Sequence, residues 1–500
     1  MPDNYTRGNG LWKRILIGAF LIVLAAAGAT SVAAFHEVHR VVEAFHVGPQ
    51  LKLGDELATA DPGKPQTIML IGSDKRAKTA RDYQGGSARS DTIILIRLDP
   101  SKKATALLSI PRDLKVDIPG YGINKINAAY TFGGPRLVLA TVRHLTGLRI
   151  NHVIDTDFIG FVNAIDQLGC VYLDVDERYY NSGLGFDNYA AINLQPGYQR
   201  LCGRNALSFV RYRHTDSDIV RAARQQMLLS QLKQQVSLGK LISEQGKLLD
   251  IFGHATQSDI RSTAAVLRLL KLALASAGHP VQEVQVSGLG VDLAATGPDG
   301  AAYVTITPEK MHKLARQFIG VEPIKSASSS SSSSKSSSSH RRHHHRPTAA
   351  SLGLVDASQA GKSAALQLVT AGAHIPIYYP RAITSPDQFV GPAGSGARAY
   401  WLRTAGGHRY AAYRIVVKRR DPGQYWGVQG VAWRNPPILK HPSETRHYHG
   451  RTFYIYFEGD ATRLVAWKTP RAVYWVSNTL SAQLSEDQMI AIAESTATLS

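Results

Sequence analysis

Three apolar runs constrain the fold of this chain more strongly than any other feature of its sequence. Residues 67–72, 91–98 and 104–110 are rich in aliphatic side chains, and polar segments separate them. Runs of this length between turn signals are typical of buried strands. Next come predicted helices at residues 135–146 and 157–168, alternating with predicted strands at residues 151–156 and 171–175. This alternation predicts an α/β fold, an αβα sandwich with a mixed central sheet.

Arginine is concentrated in residues 209–226, where a short strand is expected to pass into a helix. Arg211 and Arg213 are two positions apart, so on a strand their side chains point to the same face. Arg is suited to bidentate contacts with phosphate oxygens and stays charged when it is buried. A solvated basic segment is the alternative interpretation. The apolar neighbours Leu207 and Phe209 argue against it.

A long helix is predicted from Asp218 to about residue 238. On this helix Asp218, Arg221 and Gln225 have i, i+3 and i+7 spacing, so they share one face, and Arg224 lies beside that face. Together with the two preceding arginines, four guanidinium groups converge at the junction. The pattern predicts an anion site.

The first 35 residues predict a membrane anchor. Residues 1–14 form a polar, basic tail, and residues 15–35 carry no charge over about the length that spans a bilayer as a helix. The basic flank precedes this run, so we expect a single-pass protein of the cell membrane with its tail in the cytoplasm and its bulk outside. A cleaved signal peptide, whose apolar region is shorter, is the alternative. Residues 36–65 are predicted to be a juxtamembrane spacer.

The formal net charge of +19 indicates an anionic partner. Charge alone does not distinguish phospholipid, a phosphate-bearing substrate, a polyanionic polymer and nucleic acid. The predicted topology separates the chain from chromosomal DNA and cytoplasmic nucleotides. We therefore expect the membrane to be a partner and nucleic acid not to be one.

A flexible linker and a smaller α+β domain are predicted at the C-terminal end. Residues 321–347 combine a Ser tract with a His/Arg cluster, which either binds metal or an anionic polymer or is simply solvated. Within residues 348–500, strands are predicted at residues 410–417, 427–433, 452–457, 463–468 and 473–477. A capping box at residues 485–488 predicts the start of a final helix.

Five of the six tryptophans fall in this C-terminal domain: Trp401, Trp426, Trp433, Trp467 and Trp475. They indicate either a surface that stacks on sugars or, more commonly for such a domain, an aromatic core.

Two acids come at the ends of neighbouring predicted strands. Asp74 follows the first strand and Asp91 begins the second, with Arg89 just before it. Carboxylates placed in this way can hold Mg²⁺ when substrate phosphates complete its coordination. Asp at strand ends is also ordinary turn chemistry, which is the alternative. Downstream, Arg112 ends the third strand, and Lys125 and Asn127 follow it.

Five motifs in fixed order make the pattern specific. They are residues 71–74 (IGSD), 89–92 (RSDT), 109–113 (SIPRD), 125–130 (KINAAY) and the segment from Arg211 to Gln226. In this combination the chain closely resembles the LytR-CpsA-Psr family of cell-envelope transferases, over roughly residues 66–320. A single anchor helix ahead of that region also fits the resemblance.

The resemblance implies a function and a site. The family moves a phosphorylated glycopolymer from a polyprenyl-pyrophosphate carrier to peptidoglycan, outside the membrane. By this likeness Asp74 and Asp91 engage Mg²⁺, with Mn²⁺ as the alternative. The residues expected to bind the pyrophosphate are Arg89, Arg112, Lys125, Asn127, Arg211, Arg213, Arg221, Arg224 and Gln225.

The same resemblance implies catalytic roles for Asp74, Asp91, Arg112, Arg211, Arg213 and Asp218. Asp91 and Asp218 are both candidates for the general base that accepts the proton of the attacking sugar hydroxyl. The carrier's tail is expected in an apolar tunnel between the sheet and the helices, with candidate lining residues Leu137, Phe158, Phe161 and Ile165. Cys170 and Cys202 fall where many relatives have Gly or a turn residue. We expect a local disulfide between them, which is typical of an exported protein.

Three other functions are compatible with parts of the pattern. A polyprenyl-pyrophosphate phosphatase has the same chemistry with water as the acceptor. A non-catalytic anchor binds wall polymer through the Trp-rich domain. A DNA-binding transcriptional regulator is suggested by charge alone and requires a cytoplasmic C-terminus.

Overall fold

The computed structural model describes residues 51–59, 61, 63–73, 90–102, 104–182, 191–212, 218–236, 256–260, 268–269, 272, 276, 281–284, 286, 290–296, 302–320, 348–458 and 461–499. The predicted tail, membrane span and linker, and residues 36–50 of the spacer, lie outside these ranges. Within them, no helix is both long and apolar enough to cross a membrane.

The region before the linker contains short strands and helices in alternation. Its strands are β1 (Gln66–Ser73), β2 (Ser90–Asp99), β3 (Ala104–Ile110), β4 (Lys115–Ile118), β5 (Gly122–Lys125), β6 (His152–Thr156), β7 (Val171–Val175), β8 (Tyr179–Asn181), β9 (Ile192–Leu194), β10 (Gly197–Leu201), β11 (Thr256–Ser258), β12 (Val281–Val284), β13 (Val291–Thr296) and β14 (Ala302–Ile306). Its helices are α1 (Ala128–Thr146), α2 (Phe158–Gln167), α3 (Gly203–Arg211), α4 (Asp218–Gln235) and α5 (Pro308–Gly320).

Six strands form the central sheet, in the order β11-β6-β1-β2-β3-β12. β1 pairs with β6 in parallel and with β2 in antiparallel orientation, and β3 pairs with β2 antiparallel and with β12 parallel. The sheet is therefore mixed, as predicted. This order also brings the ends of β1, β3 and β6 and the beginning of β2 to one edge of the sheet. We call it the Ser73 edge, and it is marked by Ser73, Ser90, Ile110 and Thr156.

Helices cover both faces of this sheet. Met69 and Ile71 of β1 are fully buried in a core that includes Val138 of α1 and Phe318 of α5. Leu70, which lies between them in sequence, packs with Leu229 of α4 on the opposite face. The predicted α/β class is confirmed.

The strand predicted at the start of residues 209–226 is wrong. Residues Gly203–Arg211 form helix α3, and Arg211 is its last residue. Ala206, Phe209 and Val210 are buried with i, i+3 and i+4 spacing, which is the period of a helix face. A run this short satisfies extended and helical patterns alike.

Helix α1 begins at Ala128, seven residues before the predicted start at Pro135. Gly133 and Gly134 have non-helical backbone angles, with φ of 61° at Gly134, so the helix is kinked there and resumes at Pro135. Proline is favoured at the first position of a helix because it lacks the N–H that would have no partner there.

The C-terminal region, residues 348–499, has a sheet of its own. Its strands are β15 (Leu354–Asp356), β16 (Ile377–Tyr379), β17 (Ala382–Thr384), β18 (Gln388–Phe389), β19 (Ala397–Arg403), β20 (Arg409–Lys418), β21 (Tyr425–Val431), β22 (Glu444–Tyr448), β23 (Arg451–Glu458), β24 (Ala461–Lys468), β25 (Val473–Ser477) and β26 (Ala497–Leu499). Its helices are α6 (Ser358–Thr370) and α7 (Glu486–Ser495). The main sheet runs β18-β20-β21-β25-β24-β23-β22, with β19 also paired to β20.

Aromatic side chains fill the core of the C-terminal region. Trp426, Trp467 and Trp475 are fully buried, so for these three the aromatic-core interpretation is confirmed. Trp433 stacks on Tyr410 at 5.5 Å between ring centroids, and Trp401 is 45% exposed. The capping box predicted at Ser485 is present at the start of α7.

A buried ion pair joins the two regions. Asp174 of β7 accepts hydrogen bonds from Nη1 of Arg414 at 3.1 and 3.2 Å and from Nε1 of Trp475 at 2.8 Å. Arg414 is inaccessible to solvent. Because Asp174 lies in the first region and both donors lie in the second, this contact fixes the C-terminal region against β7.

Replacing Arg414 with Met is expected to lower the free energy of unfolding by about 3–5 kcal/mol, because it leaves a buried carboxylate without its cation. Urea denaturation of the full-length chain measures this. The matched control is Arg136→Met, which removes an ion pair to Glu56 from a side chain that is 69% exposed. The control is expected to cost about 1 kcal/mol or less. Equal losses in the two variants would contradict the role of the buried pair.

Candidate functional site

A β-bulge lies at the Ser73 edge, where the sequence places Asp91. Gly72 pairs with Thr92 but Ser73 pairs with Ser90, so Asp91 is the extra residue of β2. Bulges redirect side chains and are frequent beside active sites. The backbone at Asp91, a predicted metal ligand, therefore departs from regular strand pairing at this edge.

An apolar cavity of about 70 Å³ opens beside this edge, between the sheet and helices α2, α3 and α4. Phe158 and Phe161 of α2 line it, as predicted for the lipid tunnel. The other two predicted lining residues do not, because Leu137 packs against the core under α1 and Ile165 is buried in the core around β7. Gly72 also lines the cavity, and a Cβ there would lie 3.1 Å from Cβ of Thr92.

Arg211 and Gln225 also line this cavity. The guanidinium carbon of Arg211 lies 4.0 Å from the centroid of the Phe158 ring. Gln225 donates from Nε2 to Oγ1 of Thr92 at 2.9 Å, which ties α4 to β2. The structure thus brings together one predicted arginine and the predicted glutamine in the wall of one apolar cavity.

Arg224 is placed differently. It is inaccessible to solvent, and its guanidinium carbon lies 5.0–5.8 Å from the ring centroids of Tyr179, Phe209 and Tyr212. It also donates to the backbone carbonyl of Tyr212. Its neighbour Arg221 is 4% exposed. Both arginines belong to the protein interior, so the interpretation of α4 as a solvated basic helix is wrong for these two residues.

A second polar group follows the end of β3, at the same edge of the sheet. Asp113 lies 3.5 Å from Nε of Arg112 and 3.2 Å from Nζ of Lys125. Asn127 is buried, and its backbone N–H donates to the carbonyl of Arg112 at 3.2 Å. The SIPRD and KINAAY motifs therefore meet in space, and Asp113 holds the two cations together.

Some predicted site residues are outside the described part of the chain. Asp74, Arg89 and Arg213 lie beyond the described ranges, and the side chains of Asp91 and Asp218 lie outside the description as well. Their roles stay predictions.

Three residues of this neighbourhood were not predicted. Thr92 accepts the hydrogen bond of Gln225, Asp113 pairs with Arg112 and Lys125, and Asp157 caps α2 by accepting from Gly160 N–H at 2.8 Å. Asp157 also lines the cavity. The sequence did contain a signal for Asp157, because an Asp just before an apolar helical run is a common helix cap.

The predicted disulfide between Cys170 and Cys202 is present. Cys202 is the residue just before α3, and Cys170 comes three residues after the end of α2. The bridge ties together the two helices that supply Phe158 and Arg211.

A larger cavity of about 580 Å³ lies between residues 55–58 and the C-terminal end of α1. It contains none of the predicted site residues, so the smaller apolar cavity is the candidate site.

The profile of the LytR_cpsA_psr family matches residues 32–318, and the chain belongs to this family. Among its relatives, the polyisoprenyl-teichoic acid–peptidoglycan teichoic acid transferase TagT of Bacillus subtilis is 27% identical over 312 residues, covering 61% of this chain and 93% of the relative. The corresponding TagU of Oceanobacillus iheyensis is 29% identical, covering 62% and 94%. The regulatory protein MsrR of Staphylococcus aureus is 33% identical, but covers only 34% of this chain and 49% of the relative.

A solved structure of TagT bound to LI-WTA is 26% identical and covers 54% of this chain and 99% of its own, with a TM-score of 0.42. The family assignment rests on the sequence match over residues 32–318. The C-terminal region lies beyond the matched residues.

We expect substitutions of Arg224 and Arg211 to lower the free energy of unfolding by different amounts. Arg224→Met is expected to lower the free energy of unfolding by about 3 kcal/mol or more. The substitution removes a buried cation from the aromatic rings around it and leaves the charges buried nearby unbalanced. Arg211→Ala, at a partly exposed helix end, is expected to cost about 1 kcal/mol. Urea denaturation of both variants provides the comparison. Full stability of Arg224→Met would show that the guanidinium is not part of the core.

Proposed function

We propose that this protein is a membrane-anchored, extracytoplasmic phosphotransferase that moves a glycopolymer from a polyprenyl-pyrophosphate carrier to peptidoglycan. The observation that carries the proposal is an apolar cavity whose wall includes Arg211 and Gln225. An apolar cavity lined by a cation suits a lipid with an anionic head. Family membership and the activities of the TagT and TagU relatives support the same function.

In the proposed reaction the prenyl chain lies against Phe158 and Phe161, and the pyrophosphate lies at Arg211. Phosphoryl transfer needs positioning and charge neutralisation more than covalent participation of the protein. The guanidinium of Arg211 stabilises negative charge on the phosphate oxygens as the bond to the carrier breaks. A hydroxyl of peptidoglycan attacks, and Asp91 or Asp218 accepts its proton.

Mg²⁺ is the ion proposed for the Ser73 edge, where the sequence supplies Asp74 and Asp91. The register places residue 91 at a bulge, and residue 74 directly follows Ser73, which pairs with Ser90. Oγ of Ser90 is buried and has no hydrogen-bond partner among the described residues. Carboxylate and hydroxyl oxygens are donors that suit a hard cation. When bound, the ion neutralises charge on the pyrophosphate, and Asp74 and Asp91 hold it.

The membrane anchor completes the proposal. Residues 15–35 are proposed to span the membrane, with residues 1–14 in the cytoplasm and the site outside it, where both the lipid-linked donor and peptidoglycan are found. The regulator alternative places the site on the other side of the membrane.

Arg211→Ala is expected to lower kcat/KM for glycopolymer transfer about 100-fold, the usual loss when a group that stabilises transition-state charge is removed. The assay measures linked product from a polyprenyl-pyrophosphate saccharide and peptidoglycan oligomers. The control is Arg204→Ala, an exposed arginine on the same helix, which is expected to leave the rate unchanged. Equal activity of both variants would contradict the site, and release of free phosphosaccharide without linked product would favour the phosphatase.

Chelation of divalent ions is expected to abolish transfer, and Mg²⁺ or Mn²⁺ is expected to restore it, because the carboxylates of Asp74 and Asp91 need a bound cation beside the anionic pyrophosphate. Asp91→Asn is expected to raise the Mg²⁺ concentration needed for half-maximal rate at least tenfold, about 1.4 kcal/mol of ion binding. Asp117→Asn, whose carboxylate is 61% exposed, is the control and is expected to keep the wild-type requirement. Transfer at an undiminished rate in excess chelator would rule out the metal.

A further inference from the structure

Three large apolar side chains are exposed close together on the surface of the first region. Ile123 is 68% exposed, Tyr121 55% and Phe132 40%. The rings of Tyr121 and Phe132 stack with their centroids 4.8 Å apart, and the Tyr121 hydroxyl donates to the carbonyl of Phe132 at 3.4 Å. Single exposed apolar residues are ordinary on a protein surface, but a group of them marks an interaction site. We call these three residues the apolar tip.

The apolar tip projects from the protein surface. Tyr121 and Ile123 belong to the hairpin of β4 and β5, where Gly120 and Gly122 have φ of 80° and 73°. A Cβ at either glycine would have open space around it, with no atom of a more distant residue within 4 Å. The other face of the hairpin is anchored, because Ile118 is fully buried in the core under α1. A firmly held, convex tip suits a soft surface that can close around it.

The chain enters this region beside the apolar tip. Leu51, where the described part of the chain begins, is buried in the same core as Ile118 of the hairpin. Glu56 pairs with Arg136, which comes four residues after Phe132. The segment that follows the proposed membrane span therefore joins the folded region on the side that carries the tip.

The length of the tether agrees with this placement. Residues 36–50 connect the proposed span, residues 15–35, to Leu51. Fifteen residues reach at most about 50 Å when they are fully extended. A tether of this length holds the tip at a high effective concentration near the membrane surface, so even weak contacts suffice for docking.

The surface around the tip and the chain entry has an excess of positive charge. Its exposed cations are Lys52, Lys115, Arg136, Arg143 and Arg149. Its acids are Asp55, Glu56 and Asp117. Glu56 is paired with Arg136, and Oδ2 of Asp117, whose residue pairs with Ile123 across the hairpin, lies 3.8 Å from Nε2 of His144. Five cations against three acids favour a partner with negative charge on its surface.

We propose that the apolar tip inserts among the lipid headgroups on the outer face of the membrane, and that the cations around it contact anionic phospholipids. Aromatic side chains are favoured at this depth, and apolar contact combined with basic residues is the usual means of binding a membrane surface. The docking rests on the anchor and the extracytoplasmic placement of the proposed function. It also deepens that function, because Lys125, expected to bind pyrophosphate, is four residues from Tyr121, about 13 Å along a strand. Docking holds this end of the hairpin close to the headgroups, where a carrier embedded in the membrane presents its pyrophosphate.

A nitroxide label at residue 123 tests this proposal. The two native cysteines form a disulfide, so Ile123→Cys provides one reactive thiol in the full-length chain. The labelled chain is reconstituted through its anchor into nanodiscs of phosphatidylcholine and phosphatidylglycerol. Electron paramagnetic resonance then compares the accessibility of the label to oxygen, which partitions into lipid, with its accessibility to a water-soluble nickel chelate. We expect oxygen to dominate at residue 123.

A matched control and two perturbations make the measurement specific. Val355→Cys labels a strand residue of the C-terminal region that is 45% exposed, and we expect nickel to dominate there. Tyr121→Ser in the chain labelled at residue 123 is expected to lower the ratio of docked to undocked label roughly five- to tenfold, because it removes apolar contact. Nanodiscs of phosphatidylcholine alone are expected to lower the same ratio at least fivefold, about the contribution of one basic residue at an anionic surface.

The outcomes separate this proposal from the proposed function. A label at residue 123 that meets nickel as freely as the control would overturn the docking. Shielding from both reagents would also overturn it, since that result indicates a protein partner or a second copy of the chain. Equal docking in the two kinds of nanodisc would overturn the role of the cations.

Failure of the enzyme function gives different results. Arg211→Ala is expected to lose transfer while its label at residue 123 stays in lipid. Release of the whole chain from the nanodisc would contradict the anchor and the docking together, whereas a retained chain with residue 123 in water would contradict the docking alone.

Discussion

The candidate site depends on one buried cation, the guanidinium of Arg224, at the corner between α3 and α4. Aromatic rings from β8 and α3 surround it, and it donates to the carbonyl of Tyr212, just after α3 ends. Removal of a charge from water is costly, so such a group is stable only when its surroundings compensate for it. Here the rings, that carbonyl and Asp176 do so. By fixing this corner, Arg224 sets the position of Arg211 at the end of one helix relative to Gln225 on the next.

Helix α4 serves both regions of the protein. One face contacts the central sheet through Leu229 and Gln225, and another packs Val220 and Ala223 against Leu480 of the C-terminal region. The ion pair between Asp174 and Arg414 holds the same two regions together from β7. A change in the packing of the C-terminal region therefore acts directly on the helix that carries the site. This explains in physical terms how a region outside the family match can affect the family's site.

The sequence alone predicted the strands and helices whose apolar residues form a pattern along one continuous segment. The predicted strand at residues 171–175 has the observed bounds of β7, and the first three strands were found because turn residues separate long aliphatic runs. The failure at residues 209–211 has a physical reason, since two apolar residues in so short a run, Phe209 and Val210, fit a helix and a strand equally well. The burial of Arg224 was not predictable in this way, because Tyr179 reaches it from a separate strand. The bulge at Asp91 is likewise set by pairing between strands and leaves no local signal.

A lipid pyrophosphate is proposed to bind with its tail in the apolar cavity and its head at Arg211. The decisive experiment is a crystal structure of the chain with a short-chain polyprenyl pyrophosphate and Mg²⁺. We expect density for the prenyl chain between Phe158 and Phe161 and for the pyrophosphate beside Arg211 and the Ser73 edge. Lipid bound elsewhere, with the cavity between the sheet and α2–α4 closed, would contradict it.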